Sequence, residues 1–195
     1  MNEAELEKIK IKALEEHIPI IMDDTLKVVG NLLGKIKPNA ILEIGTAVGY
    51  SAICFSKYLL DGGIIDTIER DHDRVEEAKK NIKLVDIADK INIIEGDAVE
   101  ILPTINKKYD AIFIDAAKGK YPFFLEQALR LLKKDGIIFA DNILYKGYVM
   151  SDYNKHKQRT AVTHLREYIK LTTEDPQLNT EILEVGDGLA ITTMK

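Results

Sequence analysis

Short apolar runs rich in isoleucine alternate along the chain with longer amphipathic segments. The runs span residues 40–44, 63–69, 90–95, 109–115, 136–141, 180–185 and 189–194. Runs of this length that lack a polar face are typical of strands buried on both sides. The pattern therefore predicts a sheet whose strands lie mostly in the protein interior.

The segments between the runs carry apolar residues at spacings of three and four, as amphipathic helices require. Helices are predicted over 3–16, 22–35, 71–86, 119–133 and 159–171. Because strands and helices alternate, the sequence predicts an α/β fold with a doubly wound, mostly parallel sheet. Only residues 186–188, GDG, separate the last two runs, which predicts an antiparallel C-terminal hairpin.

Composition fits one globular domain over 1–195, with 46% hydrophobic and 30% charged residues. The net charge of −5 excludes a surface that attracts nucleic acid or membranes everywhere, but it allows a local basic patch. A single cysteine, Cys54, excludes an intrachain disulfide and is expected in the core. We expect no signal peptide or membrane span, and a cytoplasmic location.

A glycine-containing turn follows the first predicted strand, in the stretch EIGTAVGYS over 43–51. Gly45 and Gly49 let the backbone approach a ligand, which the N–H groups of the next helix would face. Glu69 ends the second strand, where an acid can accept hydrogen bonds from both ribose hydroxyls. These features predict a nucleoside site; alternatively, the glycines only form a tight turn and Glu69 is solvated.

Asp97 occupies the corresponding position after the third predicted strand. It can meet an adenine amino group, with Ala98 offering its backbone N–H, or it can cap a short helix over 98–102. The two roles are compatible.

Asp115, Asp141 and Asn142 follow the fourth and fifth predicted strands. The carboxyl ends of parallel strands meet at one edge of a sheet, so these side chains are expected in one crevice. Two carboxylates and an amide oxygen suit Mg²⁺, although they can also cap helices or turns. Lys118 is a candidate general base, because a nearby dication would lower its pKa; alternatively, it is an exposed loop lysine.

These features occur together with the motifs IPIIMDDT, ILEIGTAVGYSA, IERD, FIDAAKGKY, ADNILYKG and VGDGLAITT. Over nearly its whole length the chain resembles the class I S-adenosylmethionine-dependent methyltransferases. More narrowly, it is similar to the metal-dependent catechol and caffeoyl-CoA O-methyltransferases, and among them to the bacterial tRNA 5-hydroxyuridine methyltransferases. The resemblance implies a seven-stranded Rossmann-like sheet, a helical cover formed by residues 1–35, and a homodimer.

The resemblance also implies roles for individual residues. Glu69 would hold the ribose of S-adenosylmethionine, Asp97 or Ala98 its adenine, and Gly45 and Ser51 its methionine portion. Asp115, Asp141 and Asn142 would bind Mg²⁺, and Lys118 would act as the base. The cofactor-binding residues implied in this way are Met22, Glu43, Gly45, Gly49, Tyr50, Ser51, Glu69, Arg70, Asp97, Ala98 and Asp115.

The implied metal site accepts any substrate that offers two neighbouring oxygens, one of them a hydroxyl. Wobble 5-hydroxyuridine in tRNA is the preferred acceptor, and a catechol-like or caffeoyl-CoA-like phenol is the alternative. A basic and aromatic rim could contact the anticodon loop. It consists of Lys118, Lys120, Tyr145, Lys146, Tyr148, Tyr153, Lys155, Lys157 and Arg159.

Two other classes of protein fit the pattern less well. A nicotinamide dehydrogenase would carry the G-x-G-x-x-G spacing and would not need the C-terminal hairpin. A silent nucleoside-binding module would not need two carboxylates and an amide at the strand ends. The histidines show no ligand spacing and are expected to be structural or exposed; they are His17, His72, His156 and His164.

Overall fold

Seven strands form one sheet in the order β3-β2-β1-β4-β5-β7-β6. The structure is a computed structural model that describes residues 1–152 and 158–195. The strands are β1 (Ala40–Ile44), β2 (Ile64–Glu69), β3 (Ile91–Glu95), β4 (Tyr109–Ile114), β5 (Leu132–Ala140), β6 (Leu178–Leu183) and β7 (Leu189–Met194). The first five are parallel, and β7 is antiparallel to both of its neighbours, β5 and β6. The predicted fold class is confirmed.

Helices cover both faces of the sheet. They are α1 (Glu3–Glu15), α2 (Asp23–Ile36), α3 (Tyr50–Phe55), α4 (His72–Leu84), α5 (Ala98–Ile101), α6 (Tyr121–Leu131) and α7 (Arg159–Glu174). None of the helices within the described ranges is long and apolar enough to cross a membrane.

The apolar side chains of the strands belong to two clusters, one on each face of the sheet, which explains why the strand sequences are continuous hydrophobic runs. Ile41, Phe113 and Phe139 point to the face covered by α1 to α4, while Leu42 and Ile112 point to the face covered by α6 and α7. Successive side chains of a strand alternate between the two faces, so a sheet covered on both sides needs apolar residues at every position.

Several element boundaries differ from the predicted ones, among them the end of α6, the start of β5, the bounds of β6 and the end of α7. Helix α6 ends at Leu131 instead of 133, because Leu132 is extended and pairs with Tyr109 at the start of a longer β5. The hairpin connection comprises residues 184–188, since the antiparallel ladder already closes at the pair Leu183 and Leu189. The hairpin was predicted correctly, but its turn is two residues longer than GDG.

The strand order reverses at β1, which lies between β2 and β4. From β1 the chain runs outward to β2 and β3 and then crosses to β4 and β5 on the other side. Such a reversal opens a crevice beyond the carboxyl ends of the central strands. The predicted functional residues follow these ends.

Candidate active site

A cleft of about 470 Å³ lies beyond the carboxyl ends of the central strands. Twelve of the predicted cofactor-binding, metal-binding and catalytic residues line it, and they come from the ends of five strands or the segments that follow them and from the segment before α2. They are Met22, Gly45, Tyr50, Ser51, Glu69, Arg70, Asp97, Ala98, Asp115, Lys118, Asp141 and Asn142. The structure therefore joins the predicted nucleoside site and the predicted metal site in one cavity.

Gly45 brings the turn after β1 against the end of β4. Its φ of +104° lies in the region that favours glycine, and a Cβ at this position would overlap the backbone oxygen of Asp115. Gly49 lies behind the cleft, where it precedes α3 with a φ of +81° and packs on Ala78. Thus Gly45 sets the close approach of the two halves of the site, and Gly49 sets the direction of α3.

Glu69 is held rigidly at the edge of the cleft. One carboxylate oxygen accepts from the backbone N–H of Ala47 at 2.9 Å. The other accepts from Arg70 at 2.9 Å and from Asp71 at 3.0 Å. Each carboxylate oxygen can accept more than one hydrogen bond, so Glu69 can still receive hydroxyl donors from the cleft.

Asp97 caps helix α5, as one of its two interpretations proposed. Its Oδ1 accepts from the backbone N–H of Val99 at 2.8 Å, and the residue also faces the cleft. The capping role is confirmed and is compatible with a ligand role for the same carboxylate.

Glu43 lies beneath the cleft and does not line it. Its carboxylate is fully buried and accepts hydrogen bonds of 2.5 Å from Ser51 Oγ and Thr67 Oγ1. Burial raises the pKa of Glu43 to about 7, even though both hydroxyl bonds lower it. Glu43 therefore acts on the cleft through Ser51, which it holds at the wall.

Asp115 and Asp141 form an acidic pair at the ends of β4 and β5. Asp141 is only 2% exposed, and burial followed by repulsion from Asp115 raises its pKa to about 7. One oxygen of Asp141 accepts from the backbone N–H of Asn142 at 2.7 Å. Two neighbouring carboxylates of which one is buried are costly unless a positive group lies nearby.

The donor set around this pair fits a hard divalent cation. No group of three or more His, Cys, Asp or Glu residues that could hold a metal ion occurs within 1–152 and 158–195, and the further oxygen donor beside the acidic pair is the amide of Asn142. Asn142 Nδ2 lies 3.5 Å from Asp115 Oδ1, and a half-turn of the amide would present Oδ1 on the same side. Asp115, Asp141 and Asn142 are thus the residues able to hold a metal ion here.

Lys118 is part of this buried cluster and is not an exposed loop lysine. Its side chain is 16% exposed, and Nζ lies 2.8 Å from Asp115 Oδ1 and 3.0 Å from the hydroxyl of Tyr121. Burial lowers the pKa of Lys118, but the attractions of Tyr121 and Asp115 outweigh it and raise the pKa. The sequence analysis expected a nearby dication to lower the pKa of Lys118, and this applies only where a dication neutralises Asp115. Paired with Asp115 as described, Lys118 is an ammonium ion.

The sequence interpretation missed Tyr121. This residue is fully buried, and its hydroxyl donates to the backbone oxygen of Asp141 at 2.7 Å while it accepts from Lys118. It thereby ties the loop after β4 to the end of β5. The spacing of three residues from Lys118, within a helical turn, was the available signal.

The predicted rim is only partly described. Tyr153, Lys155 and Lys157 lie outside the described residues, as does His156. Lys118 belongs to the acidic cluster and not to a surface rim. Lys120 is exposed and lines the cleft, Lys146 is exposed, and Tyr145 and Tyr148 contact each other edge to face.

Two further expectations concerned side chains without a catalytic role. Cys54 is buried, as expected for a core residue. His17 and His72 are exposed, and His164 lies half-buried on α7. None of these three histidines lines the cleft.

Comparisons with known proteins agree with this geometry. The sequence model of a family described as O-methyltransferase matches residues 3–195. A catechol O-methyltransferase of Niastella koreensis is 32% identical over 164 residues, which are 80% of this chain and 73% of that protein. A caffeoyl-CoA O-methyltransferase of Populus kitakamiensis is 30% identical over 168 residues, or 82% of this chain and 72% of that protein.

A solved structure shares the whole fold. The O-methyltransferase from Bacillus cereus, crystallised in complex with SAH, has a TM-score of 0.89 and 26% identity. The alignment covers 100% of this chain and 92% of that chain.

The buried Glu43 should make the stability of the protein depend on pH. It keeps its proton up to about pH 7 when folded but loses it near 4.5 when unfolded, so stability falls as the pH rises across this range. Between pH 6 and 8 this residue should cost about 1 kcal/mol, or roughly 3 °C in Tm. In Glu43→Gln this contribution should vanish, which thermal unfolding at pH 6, 7 and 8 can measure. Parallel curves for both proteins would contradict the assignment, and the exposed Glu100→Gln serves as the control.

Proposed function

The chain belongs to the O-methyltransferase family, and from this membership we propose a metal-assisted methyl transfer to an acceptor with two neighbouring oxygens. It is an S-adenosylmethionine-dependent O-methyltransferase of the catechol and caffeoyl-CoA type. The observation that carries the proposal is the meeting of Asp115, Asp141 and Asn142 in the same cleft as Gly45 and Glu69.

S-adenosylmethionine, when bound, supplies an electrophilic methyl group on its sulfonium. Glu69 would accept hydrogen bonds from the ribose hydroxyls. Three backbone N–H groups already hold its carboxylate in place for this role. Asp97 and the backbone of Ala98 meet the adenine, and Gly45 and Ser51 meet the methionine portion. Met22 covers the cofactor from the N-terminal side, while Tyr50, Arg70 and Asp115 complete the wall.

Asp115, Asp141 and Asn142 hold Mg²⁺ in this proposal. When bound, the cation would supply positive charge that lowers the pKa of the acceptor hydroxyl and offsets the two carboxylates. The burial of Asp141 beside a second carboxylate, Asp115, supports the assignment, because such a pair is stabilised by a positive partner.

Lys118 accepts the proton of the acceptor hydroxyl in this proposal. Its Nζ lies between Asp115 and Tyr121 in a residue that lines the cleft, within reach of a group there. The pairing with Asp115 favours the ammonium form, so Lys118 can act as a base only when that pairing is weakened.

We propose wobble 5-hydroxyuridine of tRNA as the acceptor, with 5-methoxyuridine as the product. Its 5-hydroxyl lies beside the 4-carbonyl oxygen and offers the same pair of oxygens as a catechol. The similarity to bacterial tRNA 5-hydroxyuridine methyltransferases supports this choice. So do two exposed cations, Lys120 at the cleft and Lys146 four residues after Asn142.

A catechol-like or caffeoyl-CoA-like phenol is the second candidate. The relatives are a catechol and a caffeoyl-CoA O-methyltransferase, which favours such an acceptor, and Val99 and Phe124 give the cleft an apolar wall that suits an aromatic ring.

For either acceptor we propose a cytoplasmic homodimer. The exposed Ile11 and Leu14 on α1 support contact with a second copy.

Replacing Asp141 should separate catalysis from cofactor binding. Asp141→Ala removes a proposed metal ligand, so we expect turnover to fall at least about 100-fold while SAH affinity changes less than about threefold. Turnover assays and calorimetry with SAH measure the two effects, and the exposed Asp89→Ala is the matched control. Full wild-type activity in excess EDTA would refute the metal assignment.

Replacing Lys118 should slow the reaction most strongly at neutral pH. Lys118→Ala should lower kcat by about 10²- to 10⁴-fold at pH 7, the usual contribution of a positioned base. At high pH the acceptor ionises without help, so part of the rate should return. The pH profile of kcat measures this, with the exposed Lys134→Ala as control. An unchanged kcat at pH 7 would exclude the role of base.

The acceptor can be identified from the tRNA of a deletion strain. Mass spectrometry of its nucleosides should show 5-hydroxyuridine accumulating in place of 5-methoxyuridine. If 5-methoxyuridine persists and the purified enzyme methylates a catechol with S-adenosylmethionine, the small-molecule alternative is correct.

A further inference from the structure

The connection between β6 and β7 contacts two segments that adjoin cleft-lining residues, one after Asn142 and one after Met22. We call residues 184–188 the hairpin loop and residues 142–146, which begin with the proposed ligand Asn142, the acceptor loop. The VGDG motif of the hairpin loop has no role in the proposed chemistry. Its contacts nevertheless reach the acceptor loop on one side and helix α2 on the other.

Four consecutive backbone N–H groups of the acceptor loop donate to the hairpin loop. Ile143 donates to the backbone oxygen of Gly188 at 2.9 Å, and Leu144 and Tyr145 donate to that of Asp187 at 3.0 and 3.3 Å. Lys146 donates to the Asp187 carboxylate at 2.5 Å. Asp187 therefore receives three of the four bonds, one of them through its side chain.

The acceptor loop needs such support, because its backbone is strained. Asn142, Tyr145 and Lys146 have φ values of +60°, +45° and +58°, in the region that residues other than glycine rarely adopt. Strained conformations of this kind persist only where the surroundings hold them. The hydrogen bonds to Asp187 and Gly188 restrain residues 143–146, and Asn142 is held by its own bonds to Asp141 and Asp115.

Two glycines allow the hairpin loop to fit between its neighbours. A Cβ at Gly188 would overlap the side chain of Leu144 in the acceptor loop. A Cβ at Gly186 would overlap the hydroxyl of Thr25 on α2, and the Gly186 N–H donates to Asp24 Oδ2 at 2.9 Å. The hairpin loop is thus anchored on α2, the helix that begins after Met22, and supports the acceptor loop from there.

We propose that Asp187 is a positioning residue that holds the acceptor loop in its strained form and so keeps Asn142 directed at the metal and acceptor end of the cleft. This inference rests on the proposed function of Asn142. Asp187 touches no reacting atom; it acts through the bonds that it accepts from Leu144, Tyr145 and Lys146, and only the bond from Lys146 uses its side chain. The cofactor end of the cleft, built by Gly45, Glu69 and Asp97, does not depend on it.

Hydrogen exchange of the wild type and Asp187→Ala tests the positioning directly. In the variant the Lys146 amide loses its acceptor and should exchange about tenfold faster. The amides of 143–145 keep backbone acceptors and should exchange faster to a smaller extent as the loop relaxes, while those of β5 and β7 stay protected. Asp175→Ala is the matched control, because Asp175 also accepts from a backbone N–H, that of Gln177 at 2.8 Å, in a turn outside the cleft. Unchanged exchange of 143–146 in Asp187→Ala would overturn the proposal.

Titrations with MgCl₂ and SAH test the consequence for the site. In Asp187→Ala the MgCl₂ concentration for half-maximal turnover should rise about tenfold, as when an outer partner of a metal ligand is lost. SAH affinity measured by calorimetry should stay within about threefold. An equal loss of SAH affinity would indicate general damage to the fold and overturn the proposal.

Asp187→Asn separates the hydrogen bond from the charge. Its amide oxygen can still accept from Lys146, so the exchange rates and the MgCl₂ requirement should return towards wild type. A defect as large as that of Asp187→Ala would assign the effect to charge and refute positioning. If the wild type itself needs no divalent cation, the proposed function fails, whereas the exchange experiment still reports on the loop.

Discussion

The proximity of two carboxylates, Asp115 and Asp141, is the constraint around which the active site is arranged. Parallel pairing of β4 and β5 places Ile114 beside Ala140, so the next residue of each strand must also be a neighbour. The hydrogen bond from the Asp141 backbone N–H to Ile114 continues this ladder for one more step. The fold thus forces together two negative charges that repel each other, and Lys118, Tyr121 and Asn142 are arranged around the repulsion.

Two carboxylates away from the cleft, those of Asp66 and Asp110, are paired with lysines of the chain. Asp66 accepts from Lys107 at 2.7 Å, and Asp110 accepts from Lys133 at 2.8 Å. Burial raises the pKa of both, but these and other hydrogen bonds outweigh it and lower the pKa values. Asp141 lacks a comparable partner and has a raised pKa. Asp66, Asp110 and Asp115 are therefore each paired with a lysine of the chain, whereas the burial of Asp141 is not offset in this way among the described residues.

Much of this arrangement follows from local sequence patterns, and the remainder depends on contacts between distant segments. The strands were predictable because burial on both faces requires unbroken apolar runs, and Glu69 was predictable because a parallel strand must end at the crevice. The burial of Lys118 was not, since it depends on Tyr121 and Asp115 closing around it. The position of Glu43 beneath Ser51 was not predictable either, because it depends on the contact between the two side chains. The start of β5 at Leu132 was not predictable, because the pairing of Leu132 with Tyr109 overrides the polar sequence KKD that follows.

The inner position of β7 also has a consequence for the order in which the protein is made. Of the seven strands β7 leaves the ribosome last, yet it lies between β5 and β6. Until it emerges, β5 has an open edge next to the acidic pair, and the hairpin loop is not yet closed. A nascent chain can therefore assemble the half of the cleft beside β1 to β3 before β7 is made, but it completes the half beside β4 and β5 only after β7 has emerged.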